Sequence, residues 1–315
     1  MNIYIVDAFT THLFSGNQAG VVLVEPDGSF PEERFMRGMA AELKHSETAF
    51  VKQLNADSFH IRYFTPLEEV DLCGHATISV FSVLRDETII SPGHYKAFTL
   101  AGELNIHVQK HCVWMDMAEP RELRSFSEEE SLALYQAYGL DLSHQPAGME
   151  PKVISTGISD ILLPVNSRSA LAGALQSTDA VTRLSKAYEA VGFHLFYVNA
   201  GQETTTVKCQ SVNDAGSSVL LQQVSKNATA FCRNFAPLYG IDEEPATGTA
   251  NGALTYYLYQ YGLIKPNDQN CFIQGEIMGR PSVISTRLSI REGQVLIHVG
   301  GNAVISLKGK LWKNK

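Results

Sequence analysis

A turn that leads into an apolar helix occurs twice in this chain of 315 residues, and this repeat restricts the fold more than any other feature. The first copy reads DLCGHATISVFSVL and the second reads EEPATGTANGALTYYLYQYG. Superposing them pairs four positions: Cys73 with Thr247, Gly74 with Gly248, His75 with Thr249 and Ala76 with Ala250. Each helix is apolar over most of its circumference, which indicates burial. The repeat predicts two similar lobes, each with strands around one central helix.

Short alternating stretches surround both copies and predict half-buried strands. They read NIYIVDAF, AGVVLV, TAFVKQ, FHIRYF and NIHVQKH in the first half, and FHLFYVN, TTVKCQSV and VLIHV in the second. FPEERFMRGMAAELKH has helical spacing, with Pro31 early in the helix, where its missing N–H costs little. A polar region from about residue 119 to 149 contains a helix in SEEESLALYQAYGL and resembles a connection between lobes.

These patterns divide the chain into two predicted lobes. The first covers residues 1–118, and the second covers residues 119–302 and includes the connecting segment. A closing strand at about residues 303–315 is a candidate to join the first lobe.

Composition and charge exclude several classes of protein. The net charge of −8 argues against binding to nucleic acid or to an anionic membrane surface, because both need a basic face. No apolar run approaches the roughly 20 residues that span a bilayer, and the start MNIYIVDAFTT has no features of a signal peptide. An odd number of cysteines without a C-x-x-C pair favours a reduced compartment, so we expect a cytoplasmic protein. The five cysteines are Cys73, Cys112, Cys209, Cys232 and Cys271.

The two turns offer a way to bind an anion without a basic side chain. A helix N-terminus carries unsatisfied N–H groups and the positive end of the helix dipole. Gly74 and Gly248 would let a ligand approach this backbone closely, so the turns CGHAT and ATGTA could hold the carboxylate of a small acid. The alternative is that both glycines only form tight turns into buried helices.

Cys73 and His75 raise three possibilities. A metal site is rejected at this stage, because no second Cys or His stands at ligand spacing and His107 and His111 lie on one face of a strand. A nucleophilic Cys73 would gain from the helix start, but two residues along a turn is expected to be a poor geometry for a Cys–His dyad. An inert buried cysteine is the remaining alternative.

Glu47 in HSETAFV lies between a helix end and an apolar strand, where a lone carboxylate has little local reason to be. A partly buried carboxylate there suits general acid–base chemistry. The alternative is a capping or surface glutamate.

Five separated motifs resemble those of the phenazine-biosynthesis F-type (PhzF-like) isomerases. In order they are DAF near the start, FSGNQAGVV, KHSETAFV, IRYFTPLEEVDLCGHATIS and RNFAPLYGIDEEPATGTANGAL, and the tail HVGGNAVISLKGKL is similar to the family's closing strand. The resemblance implies an α+β, diaminopimelate-epimerase-like fold, with two pseudo-symmetric lobes that each have a curved β-sheet or barrel around a central helix. It also implies a cofactor-free, metal-free homodimer.

The family's founding activity isomerises trans-2,3-dihydro-3-hydroxyanthranilate by moving a proton between carbons with a single carboxylate. By resemblance, Glu47 is that carboxylate, and His75 and Glu244 are polar helpers. The same comparison implies that Gly74, Gly248, Thr249, Cys73 and Asn17 bind the substrate. The sequence departs from the family pattern in three places: Gln18 replaces a proline, Glu244 an aspartate and Thr249 a serine.

Two-base epimerases of the same fold need a thiol on each face of the substrate carbon. Here Cys73 is retained, but Thr247 stands at the equivalent position, so a cysteine pair is disfavoured. We therefore expect a cofactor-independent isomerase that moves a proton on a small cyclic or unsaturated carboxylic acid. The alternatives are a catalytically silent relative that binds a small acid or a protein and, less favoured, a cysteine-based epimerase or a thiol hydrolase.

Overall fold

The computed structural model describes residues 1–25, 28–199 and 225–311. The predicted strand TTVKCQSV and Cys209 lie outside these residues. The chain divides into two compact units, one formed by Met1–Asp116 with Gly300–Lys315 and the other by Met117–Val299.

The first unit is a mixed sheet with two helices. Its strands are β1 (Asn2–Ala8), β2 (Asn17–Leu23), β3 (Thr48–Asn55), β4 (Ser58–Phe64), β5 (Glu69–Val70), β6 (Gly93–Thr99), β7 (Gly102–Val108), β8 (Val113–Asp116) and, from the end of the chain, β18 (Ala303–Lys310). The helices are α1 (Glu33–Leu43) and α2 (Gly74–Asp86). Strand β1 pairs antiparallel with β18 and β2. The β2–β3 and β4–β6 pairs are parallel, and β3–β4, β4–β5, β6–β7 and β7–β8 are antiparallel.

The second unit contains nine strands and four helices among its described residues. The strands are β9 (Arg121–Ser125), β10 (Lys152–Ser155), β11 (Ser159–Pro164), β12 (Gly192–Val198), β13 (Ala230–Ala236), β14 (Ile241–Glu244), β15 (Gln269–Gln274), β16 (Ser282–Arg291) and β17 (Gln294–Gly301), whose last two residues belong to the first unit. The helices are α3 (Glu128–Gln136), α4 (Arg168–Gly173), α5 (Thr178–Ala187) and α6 (Gly248–Gln260), with short 3₁₀ turns at Leu142–His144 and Pro237–Tyr239.

The strands of the second unit repeat the connectivity of the first. From β10 to β16 the pairings run antiparallel, parallel, antiparallel, antiparallel, parallel and antiparallel, which is the sequence seen from β1 to β7. Helices α2 and α6 occupy the same place in this order, and each has 13 residues. The repeat read from the sequence is therefore present at the level of topology.

The two matching helices are the buried centres of their units. Every residue of α2 from Gly74 to Leu84 is buried, and this helix contacts strands β1, β2, β3, β7, β8 and β18. In α6 all residues from Gly248 to Thr255 are buried, and the helix contacts β10, β11 and β16. Apolar side chains on all sides of each helix thus pack against strands, as the sequence predicted. Among the described residues, no helix is both long enough and apolar enough to cross a membrane.

A partly buried arginine–glutamate pair recurs in the strands that precede both central helices. In the first unit Arg62 of β4 donates two hydrogen bonds to Glu69 of β5, at 2.7 and 2.5 Å. In the second unit Arg233 of β13 donates two to Glu243 of β14, at 2.9 and 2.8 Å. Each pair ties a short strand to the sheet just before the chain turns into the central helix. The signal was present in the sequence, as RYFTP at residues 62–66 and RNFAP at residues 233–237.

One detail differs from the sequence expectations. Helix α1 begins at Glu33, with Glu32 as its N-cap, so Pro31 precedes the helix instead of lying in its first turn. The polar region after residue 119 lies in the second unit, in the lobe that the sequence pattern predicted for it. Strand β9 pairs with β10, and α3 contributes Leu134 to a hydrophobic core that includes strand residues. A capping box of Ser127 and Glu130 starts α3.

Candidate active site

Glu47 is positioned by the joint between α1 and β3. The helix ends at Leu43, Lys44 takes a left-handed conformation with φ 58°, and β3 begins at Thr48. The backbone carbonyl of Glu47 accepts a hydrogen bond from the amide of Gly20, which fixes the residue against β2. Its side chain is only 13% exposed. The residue that precedes the equivalent strand β12 is Val191, so the second unit has no carboxylate at this place.

The carboxylate of Glu47 lies beside His75 and Cys73 at the start of α2. His75 Nε2 is 3.4 Å from Glu47 Oε2. That oxygen is buried and has no hydrogen-bond partner in the described chain. Cys73 Sγ lies 3.4 Å from His75 Nδ1 and 3.9 Å from Nε2. Ser46 Oγ is 3.5 Å from the same Nε2. The structure therefore assembles a carboxylate, an imidazole, a thiol and a hydroxyl around one point.

Burial lowers the pKa of His75 below its ordinary value, and this effect outweighs the opposing influences of Glu47 and of a hydrogen bond to the Gln18 backbone. His75 is thus a neutral imidazole at neutral pH. A neutral ring has one N–H and one lone pair, so it can donate a hydrogen bond on one side and accept one on the other. His75 can therefore hydrogen bond with Glu47 both when the carboxyl group is ionised and when it is protonated.

Asn17 holds the other side of the His75 ring, with its Nδ2 atom 3.3 Å from Nδ1. The residue before it, Gly16, has φ +70°, and a Cβ atom there would lie 2.1 Å from the carbonyl oxygen of Ala8. Only glycine fits this turn. The glycine of the motif SGN therefore allows the backbone conformation that positions Asn17, and a side chain at residue 16 would prevent it.

Both glycines start a central helix. Gly74 and Gly248 are the first residues of α2 and α6, and the N-cap residues Cys73 and Thr247 are extended and provide no side-chain cap. The first amide N–H groups of each helix have no acceptor within the helix. Each helix start can therefore donate hydrogen bonds to an anion, as the sequence suggested.

The second unit assembles its own polar group around Glu244. Thr247 Oγ1 donates a hydrogen bond to Glu244 Oε2 at 3.0 Å. Gln274, at the end of β15, donates from Nε2 to the Glu244 carbonyl at 2.7 Å and to Thr247 Oγ1 at 3.1 Å. Thr249 is buried, and its carbonyl accepts a hydrogen bond from Thr156 Oγ1 at 3.1 Å. Gln274 thus fixes the turn that leads into α6.

Further buried polar side chains of the second unit form hydrogen bonds with one another. Asn251 Nδ2 donates to Gln274 Oε1 at 3.0 Å. His194 Nδ1 lies 3.3 Å from Asn234 Nδ2, and Asn234 hydrogen bonds with Asp160. Burial lowers the pKa of His194 to about 3 and raises the pKa of Asp160 to about 7. Asp160 is therefore a buried acid that ionises near neutral pH.

Replacing Asp160 by asparagine is expected to remove a pH dependence of stability. The folded-state pKa of about 7 lies above the value near 3.9 for an unfolded chain, so the folded protein binds the proton more tightly. This stability is present below pH 4 and is lost as the pH rises to about 7. Between pH 5 and pH 8 the loss is on the order of 3 kcal/mol. Urea unfolding of Asp160→Asn should show a flatter profile and a more stable protein at pH 8.

The exposed Asp57 is a matched control. Asp57→Asn should keep the wild-type pH profile. An unchanged profile for Asp160→Asn would mean that Asp160 does not carry the proton.

The structure brings together all five sequence-predicted site residues of the first unit, namely Glu47, His75, Cys73, Gly74 and Asn17. It also groups Glu244, Gly248 and Thr249 within the second unit. Ser46 and Gln274 were missed. Ser46 had a signal, since it stands beside Glu47 in the motif HSETAFV, whereas Gln274 lies at a strand end with no motif of its own.

One expectation about Cys73 is wrong. A poor geometry toward His75 was predicted, but the extended conformation of Cys73, with φ −139° and ψ 112°, leaves its sulfur 3.4 Å from the imidazole.

The rejection of a metal site rested on spacing along the chain. The carboxylate of Glu47 comes from a different element, and one ligand atom each from Glu47, Cys73 and His75 lie within 4.8 Å of one another.

Comparisons with known proteins give the family. The profile of the phenazine biosynthesis-like protein (PhzC-PhzF) family matches residues 6–309. An uncharacterized isomerase of Clostridium acetobutylicum is 30% identical over 99% of this chain and 98% of its own length. The uncharacterized isomerase YddE of Escherichia coli K12 is 30% identical over 96% of this chain and 95% of its own.

Solved structures support the fold. A PhzF-family phenazine biosynthesis protein of Bacillus anthracis superposes with a TM-score of 0.80 at 22% identity, covering 99% of both chains. A probable proline racemase of Agrobacterium radiobacter K84 superposes with a TM-score of 0.62 at 10% identity, covering 99% of this chain and 93% of its own. The fold is therefore of the diaminopimelate-epimerase-like type, which PhzF proteins share with racemases. The chain belongs to the PhzF family of isomerases.

Proposed function

We propose that this isomerase moves a proton between two carbons of a small cyclic or unsaturated carboxylic acid, with Glu47 as its only acid–base group and without a cofactor. The observation that carries this proposal is the Glu47 carboxylate, whose buried Oε2 lies 3.4 Å from a neutral imidazole and has no hydrogen-bond partner in the described chain. A buried carboxylate oxygen that is left unpartnered can accept a proton from a substrate.

The reaction divides into two proton transfers. First, Glu47 Oε2 takes a proton from an activated carbon, and the electron pair of the broken C–H bond spreads into the unsaturated system of the substrate. Then the same carboxylic acid returns the proton to a second carbon, and the double bond moves. His75 keeps contact with Glu47 in both states, because a neutral imidazole can either donate or accept. Protons and electrons balance without an oxidant.

Substrate binding is assigned to the two helix starts. The backbone amides that begin at Gly74 and Gly248 are the proposed donors to carboxylate or other anionic oxygens. Asn17 and Cys73 would contact the substrate beside His75. Glu244 and Thr249 are proposed to hydrogen bond polar substituents, and the extra methylene of Glu244 and the extra methyl group of Thr249 would change which substituents fit.

Proton NMR in heavy water tests the substrate class. A panel of small cyclic and unsaturated acids that includes the dihydro-hydroxyanthranilate would be compared with the primary amides of the same compounds. We expect deuterium incorporation or an isomer from one or more acids and none from the amides, which lack the anion. Binding seen as line broadening without any exchange would instead support a silent relative. Loss of activity after selective alkylation of Cys73 would support a thiol enzyme only if Glu47→Gln kept its activity.

We also propose that the protein is a homodimer, as the family resemblance implies, and that it is cytoplasmic, as its odd number of cysteines without a C-x-x-C pair favours. Sedimentation equilibrium of the full chain would give twice the mass of 34.6 kDa. A single species at the monomer mass would contradict this.

A further inference from the structure

We propose that Glu47, Cys73 and His75 form a binding site for a thiophilic divalent cation of the Zn²⁺ class, and that the bound cation stops proton transfer. The second part rests on the proposed function of Glu47. The site is part of the active site, so the cation would act as an inhibitor of the isomerase and not as its cofactor.

The donor set points to this class of cation. A thiolate, an imidazole and a carboxylate are the three ligand types that zinc takes in proteins. Sulfur and nitrogen donors disfavour Mg²⁺ and Ca²⁺, which prefer oxygen alone. Three protein ligands also leave one tetrahedral position for water or for an oxygen of the substrate.

The distances between the ligand atoms are close to those of a tetrahedral zinc site. With ordinary zinc–ligand bond lengths, neighbouring ligand atoms in a tetrahedral site lie about 3.4 to 3.6 Å apart. Glu47 Oε2 and His75 Nε2 are already 3.4 Å apart. Cys73 Sγ lies 3.9 Å from the same Nε2. One ligand atom from each of the three residues falls within 4.8 Å of the other two. A cation among them would draw the sulfur and the carboxylate together by up to about 1 Å, a movement that side-chain rotation can supply.

The surroundings support binding. Cys73 and His75 are 6% and 4% exposed, so a bound cation would be largely shielded from water. Glu47 and a Cys73 thiolate together balance two positive charges. A metal-bound histidine usually donates its other N–H to a carbonyl, and His75 hydrogen bonds with the backbone of Gln18. Asn17 contacts the same ring at Nδ1 and limits its rotation.

Binding would exchange one bond for another at Cys73. The thiol loses its proton to solvent as the sulfur–metal bond forms. At Glu47 the cation occupies the oxygen that would take the substrate's proton. Zn²⁺ and proton transfer are therefore mutually exclusive at this carboxylate.

Cobalt substitution tests the site without any need for turnover. The full-length protein, prepared with reductant and treated with chelator, would be titrated with Co²⁺. We expect a thiolate-to-cobalt charge-transfer band in the near ultraviolet and the visible bands of four-coordinate cobalt, both abolished by Zn²⁺. Cys73→Ser should lose the charge-transfer band and weaken Zn²⁺ binding at least about 100-fold. Cys112→Ser is the matched control, since Cys112 is another buried cysteine of the same unit.

Glu47→Gln provides a second variant that keeps the thiol. It should retain the charge-transfer band but bind Zn²⁺ about tenfold more weakly or worse. Absence of the band in the wild type, or a band that is the same in Cys73→Ser, would overturn the site. Bound Zn²⁺ that does not slow proton exchange would overturn the inhibition. A cobalt spectrum in a protein that exchanges no proton with any acid would leave the metal site standing and contradict only the proposed function.

Discussion

Glu47→Gln is expected to slow isomerisation by about 10²- to 10⁴-fold, which is the usual contribution of a general acid–base group. The amide has nearly the size of the carboxylate but cannot accept a proton. Because Glu47 Oε2 has no hydrogen-bond partner in the described chain, its replacement should not unfold the protein. The measurement is the initial rate of isomer formation on the acid found by NMR, together with the melting temperature.

Two matched variants complete this test. Glu42→Gln removes an exposed carboxylate from α1 and should keep the wild-type rate. Glu47→Asp keeps a carboxylate but withdraws it by one methylene, so its rate should fall between those of the wild type and Glu47→Gln. Equal rates for Glu47→Gln and the wild type would show that another group moves the proton.

Arg233→Met is expected to destabilise the protein by about 3 to 5 kcal/mol, the cost of removing one partner from a buried ion pair. Arg233 and Glu243 have side chains only 10% and 15% exposed. The methionine would leave Glu243 as an unpaired buried charge. It would also remove the Nη1 hydrogen bonds to the carbonyls of Leu171 and Ala174, at 3.0 and 2.8 Å. Urea unfolding at pH 7 would measure the loss.

The exposed pair of Arg121 and Glu119 supplies the control. Its side chains are 72% and 57% exposed, so Arg121→Met should cost at most about 1 kcal/mol. Adding Glu243→Leu to Arg233→Met should restore part of the stability, because no charge then stays buried alone. A loss for Arg233→Met no larger than for Arg121→Met would contradict a structural role for this pair.

The paired central helices could be predicted from the sequence because their signal is local. An all-round apolar helix with glycine at its first residue needs no knowledge of the partner strands to be recognised as buried. Glu47 was a candidate from its place between a helix end and an apolar strand, but only the family resemblance favoured it over a capping or surface glutamate. The fold class followed from the resemblance, and neither the resemblance as stated nor the pattern gave the order of the strands.

What the sequence could not show is which side chains meet. Glu47 and His75 are 28 positions apart and come together because β2 and β3 pair in parallel while α2 packs against both. The rejection of a metal site considered only ligands close along the chain, and so it overlooked this carboxylate. The Cys73–His75 distance depends on the extended backbone of the N-cap, which residue types do not specify. Gln274 reaches Glu244 through a strand whose register no local pattern reveals.

The face on which the proton is returned tests the single-carboxylate account most directly. A substrate acid would be converted in heavy water. NMR would show to which face of the substrate deuterium is added, and this face would be compared with the face from which the proton is removed. One carboxylate at Glu47 predicts that removal and return occur on the same face. Deuterium delivered to the opposite face would require a second base and would contradict the account.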